Sequence, residues 1–164
     1  MSLRDVTALF AQLVAPDFAE MDGEYTARLT DQGGRLATLR SRIGSSNPLF
    51  PGLWLCKAFT PGTGEPSHGY NSFRRLGRVE RRFRMQTSMV DSHYDGKPSF
   101  QLDYVAMGSL LGKMKMVDEL RRVRSGLYLG IGRYGFTDAE QAVPRPFTLE
   151  GPVGAFVGAD PGLK

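Results

Sequence analysis

Asp118-Glu119-Leu120-Arg121-Arg122 sets two acids and two bases in the middle of a run, Lys113 to Arg124, that otherwise reads as a β-strand. At the strand period of two, Met114, Met116, Asp118, Leu120 and Arg122 fall on one face, with Lys113, Lys115, Val117, Glu119, Arg121 and Val123 on the other. If the methionines and Leu120 face a core, Asp118 and Arg122 face it too. Opposite charges two positions apart on one face can pair, which makes them tolerable inside. The competing arrangement is a bulge after Val117 that turns both acids outward. Polar groups buried among methionines and aromatics are the usual makings of a small-molecule site.

Other residues supply the rest of such a site. Tyr104 and Tyr128 fall on strands that flank the Asp118 strand, and each is suited to bond a carbonyl or act as a general acid with Asp118 as base. Arg81, Arg122 and Arg133 suit a carboxylate or phosphate. Lys57 shares a face with Leu53, Leu55 and Phe59, so either that set or Trp54, Cys56 and Ala58 points inward. Phe83, Met85, Met89, Phe100, Met114 and Met116 would make an adaptable apolar wall. His68 and His93 sit in or near loops without metal-ligand spacing, so no metal and no cofactor is expected. Cys56 has no basic neighbour in sequence, and no serine sits in a nucleophile elbow.

Gly130-Ile131-Gly132-Arg133-Tyr134-Gly135 matches the glycine pattern of dinucleotide sites. That motif needs a following helix, which Pro144 and Pro146 cut off, and a parallel strand for which too little chain remains. Alternate glycines in a strand instead make room for a bulky neighbour or a ligand, or let the strand bend.

The elements that must position these groups are mostly short strands. Twenty glycines and ten prolines in 164 residues punctuate the chain every eight to twelve residues, which favours strands over long helices. Ser2-Leu3-Arg4-Asp5 has the form of a helix start. Val6, Leu9, Phe10, Leu13 and Val14 recur at helical spacing before Pro16, so one amphipathic helix spans about 3–15 and covers an open end of the fold. Strands are expected over 24–29, 52–59, 79–91, 99–106, 113–124, 127–134 and 147–157, the last bent at Gly151-Pro152. Residues 60–69 read as a loop, and 31–50 as either a helical turn or a crossing loop. Tyr94-Asp95-Gly96-Lys97 is a hairpin turn, and Thr137-Asp138-Ala139-Glu140 a capping box for a brief helical turn. In the strand over 79–91, Phe83, Met85 and Met89 should be buried, while Arg82 and Arg84 face solvent.

Seven to nine sequential antiparallel strands with one terminal helix describe a single mainly-β domain, closed or nearly closed as a barrel, with a β-sandwich as the other architecture. At 41% hydrophobic residues the chain is globular. The single cysteine excludes an internal disulfide and fits a reducing compartment. The N-terminal residues lack a signal-like pattern and no stretch reaches membrane-span length, so a cytoplasmic protein without a membrane role is expected. Net charge is +4, with six arginines crowded into 74–84, but only Phe83 is interleaved with them. A nucleic-acid surface is therefore not expected. A homodimer is compatible with the chain.

Gly23-Glu24-Tyr25-Thr26-Ala27-Arg28-Leu29, Gly52-Leu53-Trp54-Leu55-Cys56-Lys57-Ala58-Phe59, and Tyr94-Asp95-Gly96-Lys97-Pro98 before a late strand resemble the lipocalin-like barrels. Within those they are similar to bacterial proteins named for a Gly-x-Trp-x-Gly motif, although Tyr25 stands at the Trp and Ala27 at the second Gly. The resemblance covers roughly 22–158. It implies a barrel that holds hydrophobic molecules, with a few small enzymes among the relatives. The expected function is binding of a small, mainly apolar molecule bearing one anionic or carbonyl group. The alternative is a cofactor-free isomerase, cyclase or lyase with Asp118 as base and Tyr104 or Tyr128 as acid. An isolated, desolvated carboxylate would favour catalysis, and a tight Asp118–Arg122 pair would favour binding or structure.

Overall fold

Strands with one apolar face must bury it, and closing the sheet on itself buries that face while removing both exposed edges. Eight antiparallel strands do this in the computed structural model, which describes residues 2–32, 34, 39, 47, 50–62 and 67–163. They are β1 (Gly23–Leu29), β2 (Leu53–Phe59), β3 (Ser67–Arg75), β4 (Arg78–Asp91), β5 (Pro98–Asp103), β6 (Val117–Arg124), β7 (Leu127–Arg133) and β8 (Arg145–Gly154). Each is bonded to the next in sequence, and β8 returns to β1, with Glu24 opposite Gly154 and Leu29 opposite Phe147. The interior is an aromatic-rich core that includes Tyr25, Phe59, Phe83, Phe100, Leu120 and Leu149.

Two bulges decide which side chains enter that interior. In β2 the register slips between Trp54 and Cys56, so Trp54 lies opposite Phe73 and Lys57 opposite Asn71. Directly opposed residues share a face. The bulge thus puts Trp54 and Lys57 on the inner face together, drawing from both of the alternative sets. In β4 an extra residue lies between Arg82 and Met85, where Phe83 has φ 55°. The alternation inverts there. Phe83 and Met85 are buried and Arg84 is exposed, as expected, whereas Met89 is only partly buried. Arg82 is not at the surface: it is opposite Asn71, only 6% exposed, with its guanidinium over the rings of Phe50 and Phe83.

Other boundaries differ from the sequence reading for local reasons. β3 begins at Ser67, inside the expected loop. β6 begins at Val117 rather than at 113, because Leu111–Met114 forms a 3₁₀ turn that ends at Lys115 with φ 53°. β5 stops at Asp103. Most of 31–50 lies outside the described residues.

The N-terminal helix α1 (Leu3–Phe10) starts with the Ser2–Asp5 capping box, in which Asp5 N donates to Ser2 Oγ (3.2 Å) and Ser2 N to Asp5 Oδ2 (2.9 Å). It ends earlier than the apolar spacing suggests, since Val14 is already extended and bridges to Arg122. Val6 and Phe10 pack on Leu129 and Ile131, so the helix lies on the outer wall of β7. The nearby barrel end is covered by the next short turn, Phe18–Glu20, whose Phe18 ring meets Phe100 at 5.1 Å.

Arg121 fastens this outer layer. It bonds Asp95 through both terminal nitrogens (2.7 and 2.6 Å) and holds the Asp95 carboxyl down at about 2. The unfolded chain returns that group to about 3.9. A depressed acid contributes stability that is complete above the unfolded value and disappears as pH falls through the folded one. Stability should therefore fall between about pH 4 and pH 2. In Asp95→Asn, denaturant melts across that window should be flatter than in the parent; identical slopes would show that the pair contributes nothing.

Candidate ligand-binding site

β6 alternates without interruption from Asp118 to Arg122, and each charge goes to a different place. Asp118 and Leu120 face inward, opposite Gly132 and Gly130. Glu119 and Arg121 face outward yet are buried under the outer layer: Glu119 accepts from His93 N (3.0 Å), and Arg121 holds Asp95. Arg122 lies at the closed end, four residues or about 13 Å along the strand from Asp118. There it is bound to Glu20 at 2.6 Å. The expected Asp118–Arg122 pair does not form.

Asp118 pairs instead with Lys57, at 2.7 Å, with both side chains almost wholly covered. Lys57 Nζ also donates to Asn71 Oδ1 (3.0 Å) and to the Tyr104 hydroxyl, so all three of its protons are placed. Asn71 Nδ2 donates to the Tyr104 hydroxyl (3.0 Å), which in turn donates to Asp118 Oδ2 (3.2 Å). Trp54 Nε1 completes the network on Asn71 Oδ1 (3.1 Å). Rings of Trp54, Tyr104 and Phe147 surround the ammonium, each with its centroid 5.1–5.2 Å away. Burial pushes the Lys57 amine below its ordinary value, although Asp118 pulls the other way. Burial, reinforced by the Asp118 charge, raises the Tyr104 phenol well above its own and keeps it a donor. Asp118 Oδ1 is left buried without a hydrogen-bond partner.

β7 makes the room for this. A Cβ at Gly132 would stand 2.6 Å from Asp118 Oδ1, and one at Gly130 would stand 2.3 Å from the Phe147 ring. The alternate glycines thus serve a neighbouring carboxylate and a neighbouring ring, and β7 pairs antiparallel on both sides.

Above the network lies a cavity of about 310 Å³ that opens at the barrel end where β1, β3, β5 and β7 finish. Its wall is mostly apolar, with Trp54, Phe73, Phe83, Leu111, Met116 and Phe147 prominent. Polar groups are few: Lys57, Asn71 and Asp118 in the floor, Gln32, Tyr134 and Arg145 toward the mouth.

Of the residues singled out in the sequence, Lys57, Phe83, Met114, Met116 and Asp118 line this cavity, and Tyr104 bonds its floor. Met114 and Met116 reach it from the 3₁₀ turn and the residues just after it, not from a strand. Met85, Met89 and Phe100 belong to the core toward the closed end and do not line it. Tyr128 stands at that closed end beside Tyr25 and Glu20. Arg81 faces out toward Glu24 (3.5 Å). Arg133, opposite Val117, is also outside the lining. Asn71, Tyr134, Phe147 and Arg145 were not anticipated. Asn71 sits on the strand hidden by the loop-like composition before it, and Arg145 between two prolines that look like a strand terminator.

The fold and the cavity together define an eight-stranded antiparallel barrel with an internal cavity, an architecture compatible with the lipocalin-like barrels. No protein-family model matches the chain, and no curated protein does. Among solved structures the chain is similar to a protein from Thermomonospora curvata, with a TM-score of 0.60 and 17% identity over 92% of this chain and 87% of that one. That likeness shows the barrel fold. No helix among the described residues is long and apolar enough to cross a membrane.

Proposed function

We propose that the barrel binds one small, mainly apolar organic molecule whose single anionic or carbonyl group meets the polar residues of the cavity. The observation that carries this reading is an apolar cavity of about 310 Å³ with a few convergent polar side chains. That volume lies at the lower end of the range, about 300–1,000 Å³, of small-molecule sites. The resemblance to lipocalin-like barrels supports it. So does the pairing of Asp118, since a carboxylate held by Lys57 is stabilised in place rather than poised as an isolated base.

One observation favours the catalytic alternative. Asp118 Oδ1 has no partner, and Tyr104 lies against the other oxygen of the same carboxylate. That arrangement would let the carboxylate take a proton from a bound molecule while the phenol remains a donor.

Trp54 is the sole tryptophan of the chain and lines the cavity, so it reports occupancy directly. A molecule retained through purification should appear in native mass spectra as a 1:1 adduct. Its removal and re-addition should shift Trp54 emission and raise the melting temperature. Unchanged emission and melting across a panel of apolar acids, aldehydes and ketones would refute binding. Chemical conversion of the bound molecule, abolished in Asp118→Asn, would move the reading to catalysis.

A further inference from the structure

We propose that the molecule bound in this cavity is a monoanion, with its charged group on Arg145 at the mouth and its apolar body on the aromatic wall. This rests on the binding reading above and names the ligand's charge and its receptor.

Three charged side chains line the cavity: Lys57, Asp118 and Arg145. The first two are bound to each other at 2.7 Å, and a proton moved between them leaves their sum at zero. Arg145 is then the uncompensated charge. Among the described residues no acid lies within ion-pair distance of it. Arg82, a buried arginine, has Glu80 at 3.3 Å, whereas the half-buried Arg145 has no such partner among the described residues. Glu140 feels the Arg145 charge, but its Oε2 accepts from the backbone of Phe136 and Thr137 (2.8 and 3.1 Å).

Register aims Arg145 inward. It lies opposite Gly132, which lies opposite Asp118, so the three form one row across β8, β7 and β6. Opposed residues share a face, and the face of Asp118 is the interior. The missing side chain at Gly132 leaves room into which the Asp118 carboxylate leans, while the backbones of Asp118 and Arg145 stand two strand spacings, about 10 Å, apart. Asp118 is held by Lys57 and does not reach across. The guanidinium lies over the Tyr134 ring at 4.1 Å, and its Nε is buried without a hydrogen-bond acceptor. A fork of N–H donors braced by an aromatic face and lacking acceptors fits a carboxylate or a comparable oxyanion. An anion there would bring the cavity to neutrality and satisfy the orphaned donor, whereas an ammonium would add a second like charge.

Octanoate, octan-1-ol and octylamine carry the same chain with negative, neutral and positive heads. In calorimetric titrations, with Trp54 emission as a second readout, octanoate should bind about tenfold or more tighter than octan-1-ol, and octylamine weakest. Added salt should weaken octanoate alone. Arg145→Gln should bring octanoate to the level of octan-1-ol and leave octan-1-ol unchanged, and Arg145→Lys should restore part of the difference. If octan-1-ol binds as well as octanoate, or if Arg145→Gln leaves their ratio intact, the charge assignment is overturned while the binding reading stands. If none of the three binds, both are overturned.

Discussion

Removing either charge of the Lys57–Asp118 pair should destabilise the barrel by about 3–5 kcal/mol, and removing both should cost far less. Each partner is at most 1% exposed, so neither can turn to water when the other is lost. Lys57→Met leaves a carboxylate whose remaining donor is the Tyr104 hydroxyl. Asp118→Leu leaves an ammonium among three rings, with neutral acceptors alone. In the double variant the two apolar side chains meet, and the Asn71–Tyr104 and Trp54–Asn71 bonds still satisfy most of what remains. Urea titrations of the four proteins give the comparison. The double variant should melt closer to the parent than either single variant does. Four coincident curves would mean that the pair is solvated in solution, and an additive double variant would mean that the two charges do not interact.

Arg121→Met should be comparably costly, by about 3–5 kcal/mol, and should act on one layer of the molecule in particular. Arg121 is fully buried and places all five of its N–H donors: two on Asp95, the others on Phe10 O (2.9 Å), Lys97 O (3.1 Å) and Pro98 O (3.3 Å). Phe10 O belongs to the last turn of α1, where a cation is favoured, and it also accepts from Leu13 N (3.1 Å). The guanidinium also lies 4.6 Å from the Phe10 ring centroid. One side chain thereby ties α1, the β4–β5 turn and β6 together. Loss of the guanidinium should expose the amides of Leu3–Phe10 to hydrogen exchange and speed proteolysis near residues 11–16, ahead of global unfolding. Arg121→Lys should recover little, because an ammonium cannot span the same acceptors. A variant that melts with the parent and keeps its helix protected would refute this role.

The legible parts of the fold were those written in local chemistry. The strand over 79–91, the Asp-Gly turn at 95–96 and the capping boxes at Ser2 and Thr137 each appear where the residues place them. Gly130 and Gly132 were readable as space for larger neighbours, and Phe147 and Asp118 occupy that space. The bulges at Leu55 and Phe83 were not readable. A bulge adds one residue without a distinctive composition, yet it reverses every face beyond it. An unbroken period of two therefore sends Arg82 to solvent and does not decide the inner face of β2. The partner of Asp118 was hidden by distance: Lys57 is 61 positions away in sequence on a strand across the barrel, whereas Arg122 was near in sequence and lies at the other end. Arg145 was obscured by its flanking prolines, since its role depends on register with Gly132, which no local pattern carries.

The seam between β8 and β1 bears on how the molecule comes into being. Seven of the eight strand pairings join consecutive strands, whereas the eighth sets Glu24 against Gly154, 130 positions later. The entropic cost of that closure is the largest in the topology, and it falls last as the chain emerges from the ribosome. Until then every growing sheet has two raw edges and an apolar face with nothing across from it. The final strand also brings Arg145 and Phe147, so the recess has neither its cationic mouth nor its full aromatic wall before the seam shuts. A guest of the proposed kind would therefore find its site only in the finished barrel, and its binding would stabilise the closed ring by mass action.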